Sequence, residues 1–198
     1  MRKILINASN LHVGGGVQVA ASFIEELAAI VSMDKKLGQQ ISVFASTEVV
    51  NNLPYGFMKS HGFSIVKILD VHGLGIFRSP HRSEYLGFDV CFTVFGPMYL
   101  DLKHSYKICG FAQPWIVYPD NPVYAMLSYR QYVANKIRFL VQAYFYKRND
   151  LLVVELAHVK KALVRQQICS EGAVAVVENC FSSVFFDRKR WQAIDFDY

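Results

Sequence analysis

The beginning of the chain combines three local patterns that constrain its fold more than any other part of the sequence. An apolar run ends at Ala8, three consecutive glycines stand at Gly14, Gly15 and Gly16, and apolar residues then recur at helical spacing. A buried strand, a glycine-rich turn and an amphipathic helix, in this order, form the opening unit of many α/β folds. These residues therefore predict a β-strand that leads directly into a helix.

The rest of the chain repeats this alternation. Short β-prone runs predict further strands at residues 41–45, 64–69, 90–95, 107–111, 151–154 and 174–177. Helices are predicted between several of them, at residues 47–53, 79–86, 123–147 and 158–167. Most of the strand runs are continuously apolar, which is typical of strands covered on both faces. We expect a doubly wound α/β domain with a mostly parallel, Rossmann-like sheet.

The composition is that of one ordered domain. Of the 198 residues, 53% are hydrophobic and 19% are charged, which is enough apolar material for a single core. Four irregularly spaced cysteines, Cys91, Cys109, Cys169 and Cys180, predict buried, reduced thiols. The first apolar run is too short for a signal peptide, and no stretch approaches the roughly 18 apolar residues of a membrane span. We expect a cytoplasmic protein, with the inner face of the cell membrane as a further location.

The positive charge is concentrated in one segment. The net charge is +5 at pH 7, and residues 121–149 contain five basic and no acidic side chains. No nucleic-acid-binding motif accompanies this cluster, so nucleic acid is not an expected partner. In the helix predicted at residues 123–147, one apolar face is expected to pack into the core. The basic and tyrosine-rich remainder has two open interpretations: an ordinary solvated surface, or a peripheral contact with an anionic membrane.

The glycine loop, residues 10–16, favours a negatively charged ligand. Glycines allow close approach to the backbone, and free N–H groups at a helix start attract an anion such as a diphosphate. A dinucleotide fingerprint that begins at Gly14 needs glycine or alanine where Val19 stands, and the Gly-Lys-Ser/Thr triplet of a P-loop is absent. We therefore expect no nicotinamide, flavin or other cofactor. A tight turn without a ligand is the alternative.

Three segments resemble the N-terminal domain of family-4-type glycosyltransferases of the GT-B fold. They are NLHVGGGVQVA at residues 10–20, LVVELAHVKKAL at 152–163 and VVENCFSSVF at 176–185. In that family the glycine loop faces a cleft between two Rossmann-like domains, and the third segment leads into the second domain. The resemblance covers nearly the whole chain. It implies transfer of a sugar from a nucleotide-sugar to a glycan or lipid-linked acceptor, as in the synthesis of lipopolysaccharide O-antigen and similar surface polysaccharides.

The resemblance also implies a domain organisation. Residues 1–180 would form the acceptor-side domain, and residues 181–198 would be a linker toward a second domain that binds the donor. The family's donor site has two glutamates separated by seven residues, whereas Glu171 and Glu178 are separated by six and lie in another context. We therefore expect this chain to be inactive alone. The alternative is a stand-alone module that binds a glycan, a nucleotide or a protein without catalysis.

The candidate site residues lie in three loops. His12 and the three glycines are expected to contact substrate. A proline-rich loop carries Gln113, where many members of the family have a histidine, and Trp115, which would shape the acceptor pocket. An amide cannot act as an acid or base, so Gln113 is expected to hydrogen-bond a sugar or phosphate.

Glu155, at a predicted strand end, is the second catalytic candidate and would meet an acceptor hydroxyl. The plainer alternatives are a loop amide held by its own backbone at Gln113 and a solvated carboxylate at Glu155. Four further histidines, His61, His72, His81 and His104, show no metal-ligand spacing, so no metal site is predicted.

Overall fold

The chain forms one parallel β-sheet flanked by helices. The structure, a computed structural model, describes residues 2–178. The strand order across the sheet is β3-β2-β1-β4-β5-β6-β7, and every neighbouring pair is parallel. The strands are β1 (Ile4–Ala8), β2 (Ile41–Ala45), β3 (Ile65–Ile68), β4 (Val90–Thr93), β5 (Tyr106–Gly110), β6 (Leu151–Val154) and β7 (Val174–Val176). The predicted doubly wound α/β fold is confirmed.

The helices between these strands differ in length and type. The α-helices are α1 (Gly15–Met33), α2 (Lys35–Gly38), α3 (Thr47–Asn51), α4 (Phe57–Ser60), α5 (Pro114–Val117), α6 (Tyr129–Tyr146) and α7 (Ala157–Arg165). Shorter 3₁₀ turns occupy Gly73–Arg78, Pro80–Tyr85, Pro122–Met126 and Glu171–Ala173. The helix predicted at residues 79–86 is thus a 3₁₀ turn, whereas the others fall near their predicted positions, apart from residues 123–147.

Apolar side chains fill both sides of the sheet. Along β1, Leu5 packs with the buried Tyr85 and Ile76 of the 3₁₀ turns, and Ile6 packs with α1 through Ile24. Successive residues of a strand point to opposite faces, which explains why β1 is apolar except at Asn7. Each such side chain, when fully buried, contributes about 1.5–3 kcal/mol.

Helix α1 is long and apolar enough, by length and composition alone, to cross a membrane. In the described structure its buried residues instead pack against the sheet, and they include Val17, Ala20, Ala21 and Ile24. A core helix of this kind satisfies the same length and composition criteria as a membrane span. The packing of α1 therefore favours a core helix over a membrane span.

The single helix predicted at residues 123–147 is wrong. The chain forms the 3₁₀ turn Pro122–Met126, and α6 begins only at Tyr129. Ser128 causes the interruption, because its hydroxyl accepts a hydrogen bond from the Gln131 backbone while the Gln131 side chain accepts one from the Ser128 N–H. This capping box holds Ser128 in an extended conformation and starts a new helix after it.

The apolar face of α6 is not part of the core, contrary to expectation. Ile137, Leu140 and Tyr144 are 58%, 69% and 58% exposed in the described structure. The residues that α6 buries are Phe139 and Tyr146, which join the apolar cluster over β5 and β6. Because these two residues set the rotation of the helix, the predicted core face points away from the sheet.

Two further predictions concern the thiols and the domain boundaries. Cys91 and Cys109 are free and buried, as predicted, and Cys169 is free and half-buried. Burial raises the pKa of the Cys91 thiol to about 12, which makes it unreactive. Cys180, most of the segment 176–185 and the linker assigned to residues 181–198 lie outside the described residues. The domain boundaries therefore stay predictions.

Candidate functional site

The sheet has a topological switch point between β1 and β4. After β1 the chain adds β2 and β3 on one side, and it then crosses to the other side to add β4. The loops that follow β1 and β4 therefore diverge and leave a crevice at the carboxyl edge of the sheet, where open α/β sheets bind ligands. The glycine loop follows β1 and lies at this position.

Only one of the three positions has a backbone conformation that requires glycine. Gly14 has φ +73° and precedes the first turn of α1, whereas a Cβ on Gly15 would meet no atom within 4 Å. A Cβ on Gly16 would make ordinary contacts with Leu11 and Phe95. The first turn of α1 has neither a side-chain cap nor an acidic residue. Its backbone N–H groups are thus accessible to a ligand that approaches over Gly15.

A buried polar network supports the glycine loop from below. The Asn7 side chain accepts hydrogen bonds from the backbone N–H and hydroxyl of Ser9, at 3.2 and 2.7 Å, and donates to Thr93 at 3.3 Å. The Ser9 hydroxyl also bonds the Tyr85 hydroxyl at 2.8 Å. All four side chains are buried, and desolvation raises the pKa of Tyr85 to about 12. Such a network holds the exit of β1 in one conformation.

Asn10 connects the two loops at the switch point. Its Nδ2 atom donates to the Phe95 carbonyl at 2.8 Å, which ties the glycine loop to the segment that follows β4. Its Oδ1 atom is buried without a hydrogen-bond partner in the described part of the chain. The Asn10 side chain also lies only 2.8 Å from the position of a Cβ on Gly96, which has φ +86°. Glycine at position 96 therefore makes room for this link.

His12 belongs to a polar cluster at the carboxyl ends of β1, β2 and β3. Its Nδ1 atom lies 3.0 Å from a Glu48 oxygen and 3.8 Å from an Asp70 oxygen, and its Nε2 atom lies 2.9 Å from the Val71 carbonyl. The ring also stacks on His72, with centroids 3.9 Å apart. The structure thus engages both ring nitrogens of His12 within the protein. A substrate contact by His12 stays a prediction.

The two carboxylates of this cluster are stabilised in their ionised form. The hydrogen bond from His12 lowers the pKa of Glu48, and hydrogen bonds from the backbone and side chain of Thr47 lower the pKa of Asp70. The Ser46 hydroxyl, next in the chain, donates to the Leu11 carbonyl and accepts from the Val49 N–H. Contacts from the ends of β2 and β3 therefore fix the glycine loop on this side.

Glu48, Asp70 and Thr47 were not identified from the sequence, although each occupies a recognisable position. Thr47 and Glu48 stand in the first turn of α3, and Asp70 follows the end of β3. A residue that follows a parallel strand lies at the carboxyl edge, so the location of Asp70 was available from the pattern. Its proximity to His12 was not, because it depends on the pairing of β1 with β2 and of β2 with β3.

Gln113 and Glu155 line the same small cavity, which lies at the carboxyl ends of β5 and β6. Its volume is about 120 Å³. Its other walls are formed mainly by apolar residues from the loop after β5, from α5 and from the beginning of α7, among them Phe111, Val117, Tyr118, Leu156 and Val159. The Gln113 amide donates to the Gln142 side chain of α6 at 3.3 Å. The two catalytic candidates are therefore neighbours, although 42 positions separate them in the chain.

Trp115 lines a different groove from Gln113. It stacks on Phe139 with nearly parallel rings, 5.8 Å between centroids, and meets Tyr124 edge-on at 4.9 Å. The groove has a volume of about 330 Å³ and also contacts Lys136, which lies over the Tyr124 ring. In this arrangement Trp115 joins α5 to α6. Trp115 and Gln113 thus line different cavities, and the predicted role of Trp115 in shaping the acceptor pocket stays a prediction.

Fold and site together define a doubly wound α/β domain whose carboxyl edge carries an open glycine loop and a separate, mainly apolar cavity lined by Gln113 and Glu155. The solved structures that resemble it include two of one protein. They are the crystal structures of Anabaena Alr3699/HepE in complex with UDP-glucose, at 12% identity and a TM-score of 0.49, and in complex with UDP and glucose, at 11% and 0.44.

Both similarities cover 91% of this chain, and the chain spans only 44% and 45% of the length of the two solved chains. No family model matches the chain, and no curated protein matches it. Because the identities are this low and both TM-scores are below 0.5, the proposals that follow rest on the residues of the chain itself.

Proposed function

We propose that this chain is the acceptor-side domain of a GT-B glycosyltransferase of the family-4 type. The whole enzyme would transfer a sugar from a nucleotide-sugar to a glycan or lipid-linked acceptor. The observation that carries the proposal is the open, uncapped start of α1 at the switch point, where Gly14 turns the chain and Gly15 leaves the backbone uncovered. Such a helix start accommodates the negative charge of a diphosphate or of a phosphorylated acceptor.

The cavity at the carboxyl ends of β5 and β6 supports an acceptor role for this domain. At about 120 Å³ it is smaller than the roughly 300 Å³ of a complete small-molecule site, so it can hold only part of a ligand. Gln113 offers hydrogen bonds to a sugar, and Glu155 offers a carboxylate to an acceptor hydroxyl. One wall of a cleft between two domains would provide a partial binding site of this kind.

The chemistry assigned to these residues is a substitution at the sugar's anomeric carbon. An acceptor hydroxyl oxygen forms the new bond to that carbon, the bond to the diphosphate oxygen breaks, and the nucleoside diphosphate leaves. The hydroxyl proton would pass to a carboxylate, for which Glu155 is the candidate of this chain. The free N–H groups at the start of α1 would stabilise the negative charge that develops on the leaving group or sits on the acceptor.

Calorimetry with nucleotide-sugars such as UDP-glucose tests whether the main donor contacts lie outside this chain. If the main donor contacts belong to a second domain, the chain alone should bind with a Kd weaker than about 100 µM and transfer no sugar. Micromolar or tighter binding, worth about 8 kcal/mol, would place the donor site in this half and contradict the proposal. A gene that continues beyond Tyr198 with a domain containing Glu-x7-Glu would support it, and an immediate stop codon would favour a stand-alone binding module.

We further propose that α6 contacts an anionic membrane, which would bring the site to lipid-linked acceptors. The exposed Ile137, Leu140 and Tyr144 stand beside Arg138 and Lys147, and residues 121–149 contain no acidic side chain. An apolar strip flanked by basic residues suits the headgroup region, where each basic residue contributes about 1 kcal/mol. The exposure of the strip favours this interpretation over an ordinary solvated face.

Vesicle co-sedimentation tests the membrane proposal. Lys136 is a poor target because its Nζ atom donates to the Pro119 carbonyl and contributes to the fold. The double variant Arg130→Glu with Arg138→Glu should lose most of the binding to vesicles that contain phosphatidylglycerol at low salt. The matched control, Lys35→Glu with Lys36→Glu, makes the same change in charge on α2 and should bind like the native chain. Equal binding by both double variants, or none by the native chain, would contradict the proposal.

A further inference from the structure

We propose that His12, Glu48 and Asp70 form a binding site for a divalent transition-metal cation, with Zn²⁺ as the best match. One nitrogen of His12 and one oxygen from each carboxylate lie within 4.8 Å of one another. Imidazole together with carboxylates is a donor set that suits zinc. The site does not depend on the proposed sugar transfer, since its ligands are defined by geometry and chemistry alone.

The hydrogen bonding of His12 leaves Nδ1 to face the two carboxylates. The Val71 carbonyl, 2.9 Å from Nε2, can only accept, so Nε2 carries a proton. In a neutral ring Nδ1 then has only a lone pair, and that lone pair faces a Glu48 carboxylate oxygen at 3.0 Å. A second proton or a metal ion would satisfy the arrangement.

The second carboxylate completes a set of three ligand atoms for a metal ion. Asp70 Oδ1 lies 3.8 Å from the same nitrogen and also accepts a hydrogen bond from the Thr47 backbone N–H. In a tetrahedral zinc site with bonds of about 2.0–2.2 Å, neighbouring ligand atoms are about 3.3–3.5 Å apart. The distances of 3.0 and 3.8 Å lie on either side of this range. All three ligand atoms lie within 4.8 Å of one another, so local adjustment of these side chains would create the coordination geometry, with solvent at the fourth position.

The surroundings hold the three ligands as metal sites usually do. A ligating histidine normally donates its other N–H to a carbonyl, as His12 does to Val71. The Thr47 backbone and hydroxyl fix Asp70 at 2.9 and 2.7 Å. The His12 side chain is only 14% exposed, whereas the carboxylates of Glu48 and Asp70 are 46% and 45% exposed. The exposed carboxylates leave a path by which an ion enters.

A second histidine–carboxylate group in the chain provides the matched control. His81 contacts Glu84 at 2.6 Å, but the ammonium group of Lys67 also contacts this carboxylate and occupies the position of a cation. Among the described residues, no further histidine, cysteine or carboxylate joins His81 and Glu84 as a third potential metal ligand. It should therefore bind no metal, although its histidine–glutamate contact is as close as that of His12.

The experiment is a Zn²⁺ titration of the chain after treatment with a chelator, followed by calorimetry and by competition with a chromophoric indicator. We expect one ion per chain, with a Kd of micromolar or below. His12→Gln and Glu48→Gln should each weaken binding at least tenfold, and Asp70→Asn should weaken it by a similar factor. Glu84→Gln should bind like the native chain. Circular dichroism of each variant, without metal, separates a lost ligand from a lost fold.

Cobalt substitution distinguishes this site from the cysteines. Co²⁺ bound by His12 and two carboxylates gives the visible bands of nitrogen and oxygen ligands without a thiolate charge-transfer band, and Cys169→Ser should leave the spectrum unchanged. The proposal is overturned if Zn²⁺ does not bind in a saturable way, or if folded Glu48→Gln and Asp70→Asn bind it as the native chain does. A thiolate charge-transfer band that disappears with Cys169 would also overturn it.

Discussion

The two halves of the carboxyl edge are built in different ways. At the ends of β1, β2 and β3, hydrogen bonds among Asn7, Ser9 and Tyr85 and a contact of His12 with Glu48 hold the loops. At the ends of β5 and β6, the cavity rests mainly on apolar packing, and Gln113 makes one long hydrogen bond to Gln142. Hydrogen bonds are directional and fix a loop more narrowly than apolar contact does. The loops of the first half are therefore held more rigidly than those around the second.

The largest effect is expected at Gly110, at the end of β5. A Cβ at this position would lie 1.8 Å from the Val94 carbonyl oxygen, a backbone atom that cannot move without disturbing β4. Gly110→Ala should lower the free energy of unfolding by about 3 kcal/mol or more, or prevent folding. Urea denaturation measures this change. Gly15→Ala is the control and should lie within about 0.5 kcal/mol of native, so equal midpoints for the two variants would refute the distinction.

The next effect concerns the function of the glycine loop. In the proposed two-domain enzyme, Gly15→Val should reduce sugar transfer at least 100-fold, about 2.7 kcal/mol, because the side chain covers the start of α1. The structure has open space at Gly15, so thermal stability should change little. Gly75→Val, at another open position, is the control for adding a β-branched side chain. Normal turnover in folded Gly15→Val protein would mean that the loop is only a turn.

A smaller effect is expected from the buried network. Tyr85→Phe removes the partner of the Ser9 hydroxyl inside the core and should lower the free energy of unfolding by about 1–2 kcal/mol. Tyr106→Phe removes a hydroxyl from a side chain that is half exposed and should change it by less than about 0.5 kcal/mol. Denaturant midpoints of the two variants give the comparison. If the midpoints of both variants equal that of the native chain, the network does not hold the exit of β1.

The smallest effect is a pH dependence at Asp70. Hydrogen bonds from Thr47 lower its pKa below the ordinary value of 3.8. Its contribution to stability is therefore present above that value and is lost as the pH falls through the lower pKa of the folded state. Asp70→Asn should be less stable at pH 7 by under about 1 kcal/mol, since the group is half exposed, and should lose less stability than native between pH 5 and pH 3. Parallel pH profiles in urea would contradict this assignment.

Much of the fold followed from local pattern. The strands at Ile41–Ala45 and Leu151–Val154 have their predicted limits, because a short apolar run between polar residues needs no distant information. The interruption before α6 was also encoded locally, in Ser128 and Gln131, and the prediction of one long helix overlooked that capping pattern. The candidate site divides differently. Gln113 was proposed from the family resemblance and Glu155 from its position at a predicted strand end, and both stay predictions, whereas Glu48 and Asp70 were not recognised as partners of His12.

The sequence by itself determined the order of strands and helices, the position of the glycine loop and the concentration of basic charge in residues 121–149. These properties depend on neighbours in the chain, where side-chain periodicity and glycine placement act directly. Only the tertiary structure decided that His12 meets Glu48 and Asp70, and that the apolar face of α6 stays exposed. Both outcomes depend on which strands pair and which surfaces remain for a helix to cover. A periodic pattern states that a face is apolar but does not specify what will pack against it.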